Sequence, residues 1–224
     1  MNYFVKLLSI PSSIILYSMG WSFLDDHVVK LIHQYPRMVC VFSHTSYYDF
    51  FLMLLYYFSH PQLTNLKTLI KPDYFSTIGF LLNLIGGIPA TNIKDKNGGA
   101  VERIVSQLLK EEKSHLLISP KGTILRGEWR SGYYHIAKSL NCPLVALGLD
   151  YELKKITVCQ PVLSIYDEYH IKDLLYKDLA TIVPLHPEQE NMTIRKHHKP
   201  SVITNSRLLI LLMLSYLLLL INLS

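Results

Sequence analysis

The chain has 224 residues, half of them apolar and 17% charged, with a mean hydropathy of +0.22. That length suits one domain with a substantial core, and the composition excludes a disordered chain and argues against a freely soluble enzyme. Lys and Arg outnumber Asp and Glu by 22 to 17, a net charge of +5, and a basic, apolar chain points to an anionic membrane surface rather than to nucleic acid.

The elements follow in chain order. Residues 1–24 are apolar but interrupted by Pro11, Ser12 and Ser13, with no small-residue cleavage site after them. They read as a retained pair of helices, 3–10 and 12–32, lying on or dipping into a bilayer, and not as a signal peptide. Residues 38–42 form a buried strand and 49–58 an apolar helix. A short strand at 67–70 and a helix at 74–85 precede the Gly86-Gly87 break, and a strand follows at 88–91. Val101, Ile104, Val105, Leu108 and Leu109 give 98–113 a helical period. A strand at 115–119, a helix at 131–140, strands at 143–150 and 155–162 and a helix at 167–181 complete the series. This alternation implies an α/β fold with a mostly parallel central sheet flanked by helices.

Residues 184–206, with Pro184, Pro187 and Pro200 among polar residues, read as a linker. Residues 208–223 are apolar on every face and follow Arg195, Lys196, Lys199 and Arg207. At 1.5 Å per residue this run spans roughly 24 Å, short of the roughly 30 Å hydrocarbon core, so it is expected to be a short span or an in-plane anchor. The expected organisation is a membrane-associated segment at 1–32, an α/β domain at 33–183, a linker at 184–206 and a hydrophobic anchor at 207–224.

Two segments carry chemistry. His44 falls just past a strand and Asp49 in the first turn of a helix, at the carboxyl edge where α/β sheets bind ligands. A carboxylate on one ring nitrogen fixes the tautomer and makes the other a better base. Ser46-x-x-Asp49 also spells a capping box, so Asp49 equally suits helix capping; the two roles are compatible. The second segment, Ser119-Pro120-Lys121-Gly122-Thr123, is a turn at the end of another strand, with Lys121 and Arg126 able to meet an anion. His197-His198 stand side by side, so they do not share a helix face, and no metal site is expected. Cys40, Cys142 and Cys159 are too few and too scattered for a disulfide framework or a zinc knuckle and read as reduced thiols of a cytosol-facing chain. There is no G-x-S-x-G elbow for a serine esterase.

His44-x-x-x-x-Asp49, Gly86-Gly87-Ile88-Pro89, Pro120-Lys121-Gly122-Thr123 and Cys142-Pro143-Leu144-Val145 resemble, in order and spacing, the four blocks of the lysophospholipid acyltransferase family, the 1-acylglycerol-3-phosphate acyltransferases. Trp129 to Ala137 also resembles a stretch that the family carries between the last two blocks. The resemblance implies transfer of a fatty acyl group from acyl-CoA to a lysophospholipid hydroxyl at a membrane, facing the cytosol, with no cofactor. It implies His44 as general base, Asp49 as its orienter and Ser46 as the family's usual serine. Where the family's third block has glutamate and arginine, this chain has Lys121 and Ile124, and Asn92 stands near the second block's arginine. Lys94, Lys121 and Arg126, with Ser46, Gly122 and Thr123, are therefore expected to bind the acceptor. The changed third block also admits an alternative, a weak or inactive membrane lipid-binding protein of the same fold.

Overall fold

The computed structural model describes residues 3–90, 99–194 and Ser215. Among the described residues six strands form one sheet: β1 (Arg37–Phe42), β2 (Leu66–Ile70), β3 (Gly87–Pro89), β4 (Ser114–Ile118), β5 (Leu144–Asp150) and β6 (Lys155–Val158), in the spatial order β3-β2-β4-β1-β5-β6. All neighbours are parallel except β5 and β6, so the sheet is mixed. β1 and β5 lie in its middle and are buried on both faces, which is why each reads as an unbroken apolar run.

The two-residue period of a strand sorts these runs between two cores. Met38, Cys40 and Phe42 of β1, with Val145, Leu147 and Leu149 of β5, meet α1 (Tyr3–Ser18), α2 (Asp26–Gln34), α3 (Tyr47–Ser59) and α4 (Phe75–Leu84). Val39, Val41, Leu144 and Ala146 meet α5 (Ala100–Leu108), α6 (Gly132–Leu140) and α7 (Glu168–Leu179) on the other face. β1 and β4 are adjacent, yet β1 leads into α3 on one face and β4 into α6 on the other. That divergence opens a crevice at their carboxyl ends, the usual ligand position in such sheets.

The N-terminal segment departs from its expected form. One helix runs through Pro11 to Ser18, and the Ser12 and Ser13 hydroxyls donate to the carbonyls of Leu8 and Ser9, one turn back, at 2.7 Å each. The break comes at Gly20, whose φ of +77 is left-handed; Gly20 N and Trp21 N donate to the carbonyls of Tyr17 and Leu16, closing a Schellman cap. Leu8 and Leu16 are fully buried against the core that includes α3, each worth about 2 kcal/mol of apolar burial. This segment is therefore part of the folded domain. Among the described residues no helix is long and apolar enough to cross a membrane. The anchor expected at 207–224 lies outside the described residues, Ser215 excepted.

Candidate active site

β1 ends at Phe42 and α3 begins at Tyr47, leaving Ser43 to Ser46 as a loop at the crevice. Ser46, extended at φ −151, caps α3: its Oγ accepts from Tyr48 N at 3.1 Å while Asp49 Oδ2 accepts from Ser46 N at 3.0 Å. The capping box thus forms, and the same Asp49 oxygen also takes Thr45 N at 2.9 Å and His44 Nδ1 at 3.0 Å. The cap turns Asp49 back onto the imidazole, so one carboxylate both closes the helix and contacts the ring. With Nδ1–H given to the carboxylate, the His44 lone pair sits on Nε2. The ring stacks over Phe42, with centroids 6.0 Å apart.

Asp49 is 2% exposed and its second oxygen is also occupied, by the Tyr151 hydroxyl at 2.7 Å. Burial and then the neighbouring Asp49 charge push the Tyr151 phenol far above its ordinary range, so it stays protonated and donates. Trp21 packs edge-on against the Tyr151 ring at 5.1 Å. Sequence reasoning passed over Tyr151 because it sits beyond the end of β5, 102 positions from its partner.

His44 and Asp49 line a cavity of about 900 Å³. Phe50, Met53, Leu54, Leu69, Ile78 and Leu82 are among its apolar lining. Gly122, Thr123, Ser131, Arg130 and His135 supply polar lining from the β4–α6 loop and α6, and Lys71 adds a second cation. Ser119 Oγ, also on the lining, is buried without a hydrogen-bond partner among the described residues.

The expected acceptor-binding residues separate. Gly122 and Thr123 reach the cavity, while Ser46 does not line it and serves the cap. Lys121 is 5% exposed and turned away: its ammonium donates to the Gln189 carbonyl at 3.0 Å and pairs with Glu190 Oε1 at 3.1 Å. Arg126 also lies off the cavity lining, with its backbone N–H donating to Gln189 Oε1 at 3.1 Å and Nε to Asn191 Oδ1 at 3.2 Å. Lys94 lies outside the described residues. The cation of this loop that does face the cavity is Arg130, whose Nη1 lies 3.8 Å from where a side chain on Gly122 would begin. It stands inside the Trp129 to Ala137 stretch, which was the available signal.

The segment at 184–194, read as a linker, packs onto the domain instead, with Leu185 and Glu190 buried. Its polar chain suggested solvent, but those polar groups bond to the two site loops.

A family model described as Acyltransferase matches residues 25–150, more than half of the chain, and includes the His44 and Gly122 loops. The chain belongs to the acyltransferase family. No curated protein matches this acyltransferase. The matched span ends at Asp150, so Tyr151 and the 184–194 segment of this acyltransferase lie beyond it.

Proposed function

We propose that this acyltransferase moves a fatty acyl group from acyl-CoA to the hydroxyl of a lysophospholipid, 1-acylglycerol-3-phosphate or a close relative, at a membrane surface. The observation that carries the reading is the His44–Asp49 pair on the wall of a largely apolar cavity with Arg130 among its polar groups. An acyl chain fits the apolar lining, and an anionic headgroup fits the guanidinium, which can hold phosphate through two donors at once.

The chemistry needs no covalent enzyme intermediate. His44 Nε2 takes the acceptor hydroxyl proton as the oxygen attacks the thioester carbon. The tetrahedral adduct collapses, the C–S bond breaks, and the imidazolium proton neutralises the departing CoA thiolate. Asp49 holds the ring and offsets its positive charge while the proton is resident. The apolar lining limits water, which would otherwise compete as acceptor. No cofactor is required, since acyl-CoA enters as substrate.

The test is acyl transfer from acyl-CoA by the detergent-solubilised chain to a panel of lysolipids. His44→Ala is expected to lower turnover by at least about 10²-fold, the lower range for a general base. Arg130→Ala is expected to raise KM for phosphorylated acceptors and to spare an uncharged monoacylglycerol, because ground and transition states share the phosphate. A His44→Ala protein with near-normal turnover rules out this mechanism.

A further inference from the structure

The chain from residue 182 to 191 crosses the carboxyl edge of the sheet and touches both loops of the site. Ile182, Val183 and Leu185 are buried, and Tyr151 N donates to the Val183 carbonyl at 2.8 Å, which fixes the segment beside β5. His186 N then donates to Thr45 Oγ1 at 3.3 Å, and Asn191 Nδ2 donates to the Gly127 carbonyl at 2.6 Å. Between them Glu190 reaches both loops with a single oxygen: Oε1 accepts from Ser43 Oγ at 2.7 Å and pairs with Lys121 Nζ at 3.1 Å. Ser43, Lys121 and Glu190 are 8%, 5% and 4% exposed.

A carboxylate this deeply buried is tolerated only when it is paired and hydrogen-bonded, and a lysine beside it supplies the pairing. Removing either charge strands the other in a medium that cannot solvate it. Ser43 immediately precedes His44, and Lys121 immediately precedes Gly122, so a shift at the pair reaches both cavity-lining groups through one peptide unit.

We infer that Glu190 is a positioning residue for acyl transfer: its carboxylate, neutralised by Lys121, locks the loop carrying His44 against the loop carrying Gly122 and Thr123. Lys121 is the counter-charge of that lock and not a ligand of the acceptor. The kinetic consequence rests on the acyl-transfer reading above; the lock itself does not. Displacing a base from its acceptor by about 1 Å costs on the order of 10²-fold in rate, so disturbing the lock acts on kcat. It acts equally on charged and uncharged acceptors, unlike loss of a phosphate ligand, which raises KM for the charged one alone.

The experiment compares Lys121→Glu, Glu190→Lys, the double exchange and Glu190→Gln in the full chain in detergent, with lysophosphatidate and with monoacylglycerol. Each single reversal is expected to lower kcat at least about tenfold on both acceptors with little change in KM. The double exchange restores the opposite charges, and because a serine hydroxyl both donates and accepts, it is expected to recover most of kcat. Glu190→Gln keeps the shape and an acceptor for Ser43 but leaves the lysine charge uncompensated; it carries the test if the reversals do not fold. A folded Glu190→Gln with wild-type kcat, a double exchange that regains its melting temperature but not kcat, or a Lys121 effect confined to KM for lysophosphatidate overturns the inference. Amide hydrogen exchange provides a readout that needs no turnover. Glu190→Gln is expected to speed exchange at 43–46 and 121–127 together; unchanged exchange there overturns the lock. A wild-type chain that transfers nothing from acyl-CoA yet shows this coupled exchange refutes the proposed function and keeps the lock.

Discussion

Four donors converge on the Asp49 carboxylate: His44 Nδ1, Thr45 N and Ser46 N on one oxygen, the Tyr151 hydroxyl on the other. Two backbone amides and a phenol hold the group in one rotamer, so the imidazole has a single partner in a single place. Tyr151→Phe removes one donor and leaves the ring to pack on Trp21. The expected outcome is a fall in kcat of roughly tenfold with KM for both substrates nearly unchanged, since a positioning group acts only on the reacting geometry. Steady-state kinetics with a melting curve check it, and a rise in KM without loss of kcat would refute the assignment. The His44–Asp49 half of this cluster was legible in the sequence because five positions spanning a strand end and a helix start fix the geometry locally. The Tyr151 half was not, because only the sheet brings residue 151 beside residue 49. Lys121 shows the same limit in reverse: its charge is visible in the sequence, but its direction depends on Glu190, 69 positions onward and buried with it.

At the scale of elements, the sheet was readable wherever burial on both faces makes an apolar run, and strands β1 and β5 emerge within a residue of where the pattern puts them. Segments without periodicity were misread. Pro11 reads as a helix break, yet the helix continues through it with Leu8, Ser12 and Leu16 buried against the core, and Gly20 is the stop. The 182–191 segment has no repeat at all, and its place follows from contacts with chain more than 30 positions away. One glycine betrays that place. A Cβ on Gly148 of β5 would meet Ile182 Cγ2 at 2.9 Å, so the segment lies against bare backbone. Ile182 is β-branched and 1% exposed, and it has little room to rotate away. Gly148→Ala is therefore expected to destabilise by about 1–3 kcal/mol through overpacking. In Gly148→Ala/Ile182→Ala the clash is gone, and the two effects are expected to sum to less than additive. Chemical denaturation of the four proteins measures this, and strict additivity would show that the two residues do not share the contact.

The molecule as a whole stores a pH dependence in two buried histidines. Burial pushes the His60 imidazole below its ordinary value of 6.5, opposed by the hydrogen bond to the Tyr56 carbonyl. Burial lowers His115 likewise, opposed by its bond to the Tyr35 carbonyl and helped by nearby Lys113. A base whose folded pKa is depressed binds fewer protons folded than unfolded below the unfolded value. Its contribution to stability is complete above about 6.5 and is lost as pH falls through that point. His60 gives a structural reason for the sign: its Nε2 accepts from Leu24 N at 3.2 Å, a bond that protonation abolishes. The melting temperature is expected to fall between pH 7 and pH 5, and His60→Gln/His115→Gln is expected to flatten that fall. An unchanged pH profile in the double variant would place the acid sensitivity elsewhere.

α1 carries a surface suited to a lipid boundary. Leu8, Ser12 and Leu16 recur every four residues and are buried, so Ile10, Ile14 and Tyr17 fall on the opposite side, at 70%, 62% and 76% exposure. Phe23, beyond the Gly20 turn, is 53% exposed. Three large apolar side chains along one line of a helix are costly in water and suit the boundary between headgroups and acyl chains, where a helix lies flat. A sixteen-residue helix is about 24 Å long, too short to cross the roughly 30 Å hydrocarbon core. Association through α1 therefore means lying in the plane, with the net charge of +5 adding attraction to anionic lipid. Sedimentation with vesicles containing phosphatidylglycerol tests this in the full chain and in a chain ending at Ile194, which separates α1 from the 207–224 run. The shortened chain is expected to bind, more weakly than the full chain. Ile10→Glu/Ile14→Glu is expected to reduce its partitioning at least about tenfold, from the loss of roughly 1.5–3 kcal/mol of burial per side chain. Both positions face solvent, so the melting temperature should hold. A shortened chain that ignores vesicles, or binds them equally well with both glutamates in place, would transfer the whole of membrane association to the C-terminal run.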